Sequence, residues 1–301
     1  MNDDGGPAAS DESPTLPSVI VAVCTYRRNE PLRRMLEGLA VSASLAADLC
    51  RTGVVVVDDT AERLAEPVVT SFSDRFALGV EYRVSGRQNI SLARNIGLET
   101  ALPVADWVAM TDDDCVPAPR WIRALVSAQR RTGATAVSGL MVRRAPEDAA
   151  GWLADTRLLG QGVGSFPMDA EVPIGSTHNS MVSGAWLRSH PVVRFDPALG
   201  RLGGEDMLFF RTARAHGLRI TYAADAIVVE DEPPDRLTFR FIVHQSFWLG
   251  NSTYVTLVAS GEAGRARMAV HGVAELGRAL VRPLAHLLRG RGPDLRYNVV
   301  R

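Results

Sequence analysis

Three apolar runs in this chain each stop at a polar residue that is costly to bury alone, and this pattern constrains the fold more than any other feature. Ser18-Val19-Ile20-Val21-Ala22-Val23-Cys24 ends at Thr25, Val54-Val55-Val56-Val57 ends at Asp58, and Trp107-Val108-Ala109-Met110 runs into Thr111-Asp112-Asp113-Asp114-Cys115. Short, β-branched runs that are apolar at every position read as strands covered on both faces, as in a parallel sheet. Helical spacing lies between them: Leu32, Met35, Leu36 and Leu39 follow the helix opening at Asn29 and Pro31, and a second helix is expected from Ser91 to Leu98. Val80–Val84 reads as a further short strand. Alternating strands and helices predict an α/β doubly wound sheet, whose ligands bind beyond the carboxyl ends of the strands. Thr25, Asp58 and Asp112 all stand at such ends, so one crevice should gather them.

The pattern continues with a strand at Ala136–Val142, a loop-rich stretch from Ala145 to Gly175 suited to acceptor contacts, and a helix from Met207 to Ala215 stopped by Gly217. Ala226–Val229 reads as the last strand, followed by Glu230-Asp231-Glu232-Pro233-Pro234, for which a solvated acidic turn and a further metal contact at Glu230 are the two readings. From Leu237 onward the chain looks helical. Val270, Val273, Ala274, Leu276, Leu280, Leu284 and Leu287 form an uneven apolar stripe beside Arg278, Arg282 and Arg289. Such a stripe packs on its own core or lies on an anionic membrane, and no run of about 18 apolar residues is present to span one. The expected organisation is a disordered tail over 1–17, an α/β domain over 18–235 and a helical C-terminal extension over 236–301 with a candidate peripheral membrane contact.

Composition removes several functions. With 33 basic and 34 acidic residues in 301, the net charge is −1, and no global field draws in nucleic acid. All 33 basic residues are arginine. A P-loop, a pyridoxal-phosphate enzyme and a protein kinase each require a lysine, so none can be built here. The three cysteines, Cys24, Cys50 and Cys115, lack zinc-ligand spacing and point to a reducing, cytoplasmic setting. Met1 to Pro17 lacks the order of a secretory signal.

The acidic run carries the chemistry. Three adjacent carboxylates at the end of a buried strand repel one another unless a cation offsets their charge. Oxygen ligands of this kind suit Mg²⁺ or Mn²⁺, which complete their shells with water and substrate phosphates, so a metal-bound diphosphate is the natural ligand. The competing reading is a solvated acidic turn before the helix that follows Pro117 and Pro119. Asp206 stands behind Gly203-Gly204 at a helix start, where the dipole favours an ionised carboxylate able to act as a general base. A plain N-terminal capping pair, Glu205-Asp206, is the alternative. A metal on Asp113 or Asp114 and a base at Asp206 together specify transfer from a nucleotide-activated donor.

From roughly Val19 to Tyr254 the chain resembles the family 2 glycosyltransferases with the GT-A fold, within the branch that includes succinoglycan-type polysaccharide glycosyltransferases. The resemblance rests on Cys24-Thr25-Tyr26-Arg27-Arg28, Val57-Asp58-Asp59, Ala93-Arg94-Asn95-Ile96-Gly97, the acidic run and Gly203-Gly204-Glu205-Asp206, in that order and spacing. It implies a Rossmann-like, mixed and mostly parallel sheet flanked by helices, an inverting mechanism, a divalent cation and a nucleotide-diphosphate sugar donor, UDP favoured. By the same resemblance Thr25, Tyr26 and Arg27 line the nucleotide pocket, and Asp58 or Asp59 contacts the base. Arg94 and Asn95 approach the base or diphosphate, or else cap their helix. Asp112 contacts ribose, Asp113 or Asp114 holds the metal, Glu205 belongs to the nucleotide-sugar site, and Asp206 is the catalytic base. Relatives often carry diphosphate-binding arginines after the Pro-rich turn, where this chain offers only Arg240 or His244. The Gln-x-x-Arg-Trp motif of processive members is missing, which disfavours a chain-extending synthase. The acceptor is expected to be polysaccharide or lipid-linked, with a small-molecule natural product as the alternative. A nucleotidyltransferase lacks support, since no Gly-rich loop follows the first strand, and a catalytically silent nucleotide-sugar-binding protein is the non-enzyme alternative.

Overall fold

Ser18–Thr25 forms β1, the strand around which the rest of the sheet is ordered. The computed structural model describes residues 15–147, 166–270 and 272–274. In chain order the elements are β1, α1 (Asn29–Leu45), β2 (Arg51–Asp58), α2 (Glu66–Thr70), β3 (Val80–Val84), α3 (Ile90–Ala101), β4 (Trp107–Thr111), β5 (Cys115–Pro117), α4 (Trp121–Thr132), β6 (Ala136–Arg144), β7 (Asn179–Ser183), α5 (Gly184–Ser189), α6 (Glu205–Ala215), β8 (Ile220–Asp231) and α7 (Phe239–Ala259). The expected tail over 1–17 falls almost wholly outside the described residues. So do most of the loop-rich stretch after Ala145 and the stripe beyond Ala274.

The sheet runs β3-β2-β1-β4-β7-β6-β8-β5. β3, β2, β1 and β4 are parallel, as the alternating pattern predicts. Beyond β4 the sheet is mixed: β7 is antiparallel to both β4 and β6, and β8 is parallel to β6. Two reversals restore the original direction, so β6 and β8 end on the same edge as β1, β2 and β4. That is why residues far apart in the chain share one crevice.

Both faces of β1 are covered, which explains its unbroken apolar sequence. Val19, Val21 and Val23 face Leu32, Met35 and Leu36 of α1 together with Trp121 and Leu125 of α4. Ile20 and Ala22 face the opposite layer, built from Ala93 and Leu98 of α3 and Phe209 and Phe210 of α6.

The register of β6 on β8 shifts between Gly139 and Leu140. A side chain on Gly139 would lie 2.2 Å from the Ala226 carbonyl, so only glycine fits the bulge. Fully buried Asn179 bridges this irregularity. Its Nδ2 donates to the carbonyls of Leu140 (2.9 Å) and Ala226 (2.8 Å), while its Oδ1 accepts from Trp121 Nε1 at 2.8 Å. Asn179→Ala leaves these groups unpaired in a dry interior, and we expect a stability loss of about 3 kcal/mol in urea unfolding. A neutral substitution would show that the bulge holds itself without the amide.

Candidate active site

The shared edge opens into a cavity of about 520 Å³. From one end to the other its wall includes Tyr26, Asp59 and Gln88, then Thr25, Arg28 and the acidic run, then Met141, Arg143, His178, Glu230 and Arg236. β1 and β2 supply Tyr26 and Asp59 just past their carboxyl ends, where Thr25 is in register with Asp58, and the turn before α3 supplies Gln88. β6 and β8 supply Arg143 and Glu230, paired across the ladder. His178 arrives because β7 enters the sheet from this edge.

The three aspartates divide by environment. Asp113 is 4% exposed and turns inward, accepting from Thr25 Oγ1 at 2.7 Å and from Arg28 Nη1 at 3.2 Å. Burial pushes its carboxyl up to about 7 against the pull of Thr25 and Arg28. Asp112 and Asp114 face the cavity. Arg94 Nη2 donates to Asp112 Oδ1 at 3.1 Å, and Arg28 Nη1 to Asp114 Oδ2 at 2.6 Å. The second oxygen of each takes no hydrogen bond among the described residues. One ligand atom each of Asp112, Asp114 and Cys115 lies within 4.8 Å of the others. The Cys115 thiol is buried and pushed well above its ordinary range by that burial, so it stays protonated and is a poor ligand. Two free carboxylate oxygens at a polar opening fit a hard cation that keeps water and phosphate in its shell.

Arg94 joins this cluster to the start of α6. Its guanidinium pairs with Asp112 on one side and Glu205 on the other, over the Phe195 ring at 5.6 Å. Burial alone would lower its pKa, but Asp112, Glu205 and Asp206 raise it, so the charge is held. Burial pushes the Glu205 carboxyl up, and Arg94 opposes the shift. Asp206, one residue on, is half-buried. It makes no ion pair among the described residues, and its Oδ1 accepts only the Met207 N–H at 2.7 Å. Gly203 and Gly204 have φ of +80° and +87°, the left-handed turn that brings this pair round to Arg94.

At the far end, Glu230 and Glu232 are each 7% exposed. Arg143 Nε lies 3.2 Å from Glu230 and 3.3 Å from Glu232, and Arg236 Nη1 lies 3.1 Å from Glu230. This overturns the solvated-turn reading of Glu230-Asp231-Glu232: β8 runs through Asp231, all three carboxylates are ion-paired, Asp231 with Arg34 and Arg144, and Glu230 lines the cavity. Burial lowers the pKa of His178, and its ring is bonded to Ser176.

The protein-family model described as "Glycosyl transferase family 2" matches residues 20–190, more than half of the chain. The chain belongs to glycosyl transferase family 2. It is 30% identical over 236 residues to the "Succinoglycan biosynthesis protein ExoM" of Rhizobium meliloti, covering 77% of this chain and 72% of that protein. Solved structures of S. aureus TarS share the fold. The complex with UDP-GlcNAc has a TM-score of 0.56 at 16% identity, and the complex with UDP has 0.54 at 17%. Each covers 94% of this chain and 90% of the other. The GT-A architecture and glycosyltransferase membership implied by the sequence both stand.

Within this family 2 fold, several residues expected in the nucleotide pocket lie elsewhere. Arg27 has a left-handed backbone, φ +56°, and its side chain leaves the cavity to meet Glu62 at 3.3 Å. Arg28 takes its place. Asp58 is fully buried and saturated, accepting from the backbone and hydroxyl of Thr60, the Ala65 N–H and the Tyr82 hydroxyl. Asp59 is the member of the pair at the cavity, and it also gathers the N–H groups of Arg87, Gln88 and Asn89. Asn95 neither meets the cavity nor caps its helix. It exchanges two hydrogen bonds with the Phe195 backbone, at 2.8 and 2.9 Å. Asn89 is the cap, accepting from Leu92 N–H. Glu205 and Asp206 stand behind Arg94 and are not part of the cavity wall. Arg240 and His244 are exposed on α7, and Arg236 lines the cavity instead.

Proposed function

We propose that this family 2 glycosyltransferase is an inverting, divalent-metal-dependent enzyme that moves one sugar from a UDP-sugar to a hydroxyl of a polysaccharide or lipid-linked acceptor. The observation that carries this reading is the continuous link Asp112–Arg94–Glu205 with Asp206 at its end. It joins a carboxylate pair suited to a cation with an uncommitted carboxylate suited to proton transfer.

Tyr26, Asp59 and Gln88 form the nucleoside end of the cavity, and the acidic run meets the diphosphate. Asp112 and Asp114 would hold Mg²⁺ or Mn²⁺, which supplies Lewis-acid neutralisation of the leaving diphosphate. This assignment moves one metal ligand from Asp113 to Asp112, because Asp113 is turned inward. Arg28 and Arg94 fix the two carboxylates in place. Asp206 accepts the proton of the attacking hydroxyl, and attack from the side opposite the leaving group inverts the anomeric carbon. The UDP and UDP-GlcNAc complexes of TarS support the donor, and the succinoglycan-biosynthesis relative supports the acceptor class.

The test is a thermal-shift series with UDP, GDP and TDP, with and without Mn²⁺. UDP with Mn²⁺ should stabilise the chain by about 2.7 kcal/mol at a hundredfold excess over Kd, and far less without metal. No shift with any nucleoside diphosphate would favour the silent-fold reading.

A further inference from the structure

Among its 21 residues α7 buries only Ile242, Ser252 and Thr256. Its inner side carries Ser252 and Thr256, 2% and 0% exposed, which close over Gly204. One turn before this contact Phe247, Trp248 and Leu249, three successive residues that span more than half of the helix circumference, are 79%, 43% and 52% exposed. Leu202 is also exposed and extends this patch, because the next residue, Gly203, lies directly beneath the Trp248 indole. Single exposed apolar residues need no explanation, but a contiguous aromatic and aliphatic group marks a contact surface.

Charge selects what covers it. The 21 residues of α7 contain no Asp or Glu. Arg240 of this helix, and Arg265 and Arg267 just beyond it, are exposed and form no ion pair among the described residues. From 263 to 301 the sequence holds eight arginines against two acids.

We propose that this face docks on an anionic lipid bilayer, with Phe247, Trp248 and Leu249 entering the headgroup region and the arginines meeting lipid phosphates. A second copy of the chain fits less well, since arginines would then face arginines while α7 itself brings no carboxylate to meet them. The docked face leads through Gly203-Gly204 into Glu205-Asp206. Docking therefore places the proposed base beside the membrane, where a lipid-linked acceptor would sit. This last link rests on the sugar-transfer reading, whereas the docking itself does not.

Vesicle flotation of the full chain tests it. The wild type should float with phosphatidylcholine vesicles containing phosphatidylglycerol, and not with phosphatidylcholine alone. Phe247→Ser/Leu249→Ser, which spares the packed Trp248, should weaken binding at least about tenfold. Arg265→Glu/Arg267→Glu, at exposed positions, should weaken it as well. Undiminished flotation of both variants, equal flotation on neutral vesicles, or a wild type that stays in the aqueous layer overturns the proposal. So does a wild-type dimer in sedimentation velocity that the Phe247/Leu249 variant loses, which would assign the face to a second copy. Circular dichroism establishes that the variants are folded. UDP stabilisation measured on the same preparations reports separately on the sugar-transfer reading.

Discussion

Asparagine in place of Asp206 is expected to lower kcat by about 10²–10⁴-fold while leaving donor affinity nearly unchanged. The substitution keeps the size and polarity of the side chain and its contact with the Met207 N–H. It removes the ability to take a proton. Because Asp206 makes no ion pair among the described residues and lies outside the cavity wall, little else should change. Glu205→Gln is the informative companion. Glu205 is 8% exposed and shares Arg94 with Asp112, so its loss should disturb stability and donor binding as well as turnover. A fall in kcat with unchanged KM for the donor in the Asp206 variant, against losses in both for the Glu205 variant, would separate a base from a positioning residue. Retention of more than a tenth of wild-type kcat would place the base elsewhere.

The parallel half of the sheet was readable because burial on both faces leaves an unmistakable run of apolar residues, as at Val19–Val23 and Val54–Val57. The antiparallel half left no such mark. β7 contains Asn179, Ser180 and Ser183, and its stability comes from a buried amide bridging three strands and a helix, which no periodicity reports. Direction in the sheet was equally hidden: two reversals bring β6 and β8 to the active edge, and without them Arg143, His178, Glu230 and Arg236 have no visible connection to the acidic run. The site was legible where a residue type is uncommon at its position, as with three aspartates after an apolar strand. It was not legible where the question was which neighbour points inward. Asp58 against Asp59, Arg27 against Arg28, and Asp113 against its flanking aspartates are all decided by one step of backbone direction. Arg27 shows how small the cause is, since a single left-handed residue exchanges the two arginines.

That local geometry yields the second large effect. Asp112→Asn/Asp114→Asn is expected to abolish the Mn²⁺-dependent part of UDP stabilisation. Loss of either carboxylate should weaken Mn²⁺ binding, followed by electron paramagnetic resonance, by at least about 10–100-fold, the range already seen when only an outer partner of a ligand is lost. Asp113→Asn provides the contrast. Both its oxygens are engaged by Thr25 and Arg28 within the wall, and burial pushes its carboxyl up to about 7, so it offers an ion on the cavity side no uncommitted oxygen. The Asp113 variant should therefore keep most of its metal-dependent shift. Asparagine at 113 also still accepts the Thr25 hydroxyl, which guards against misreading a collapsed wall as a lost ligand. If Asp113→Asn instead behaves like the Asp112/Asp114 pair, the acidic run must reorganise when it binds metal, with Arg28 leaving Asp113 for the diphosphate. If none of the three changes the response to Mn²⁺, Glu230, the carboxylate on the other side of the acidic run from Asp59, becomes the candidate. It would have to exchange Arg143 and Arg236 for the cation.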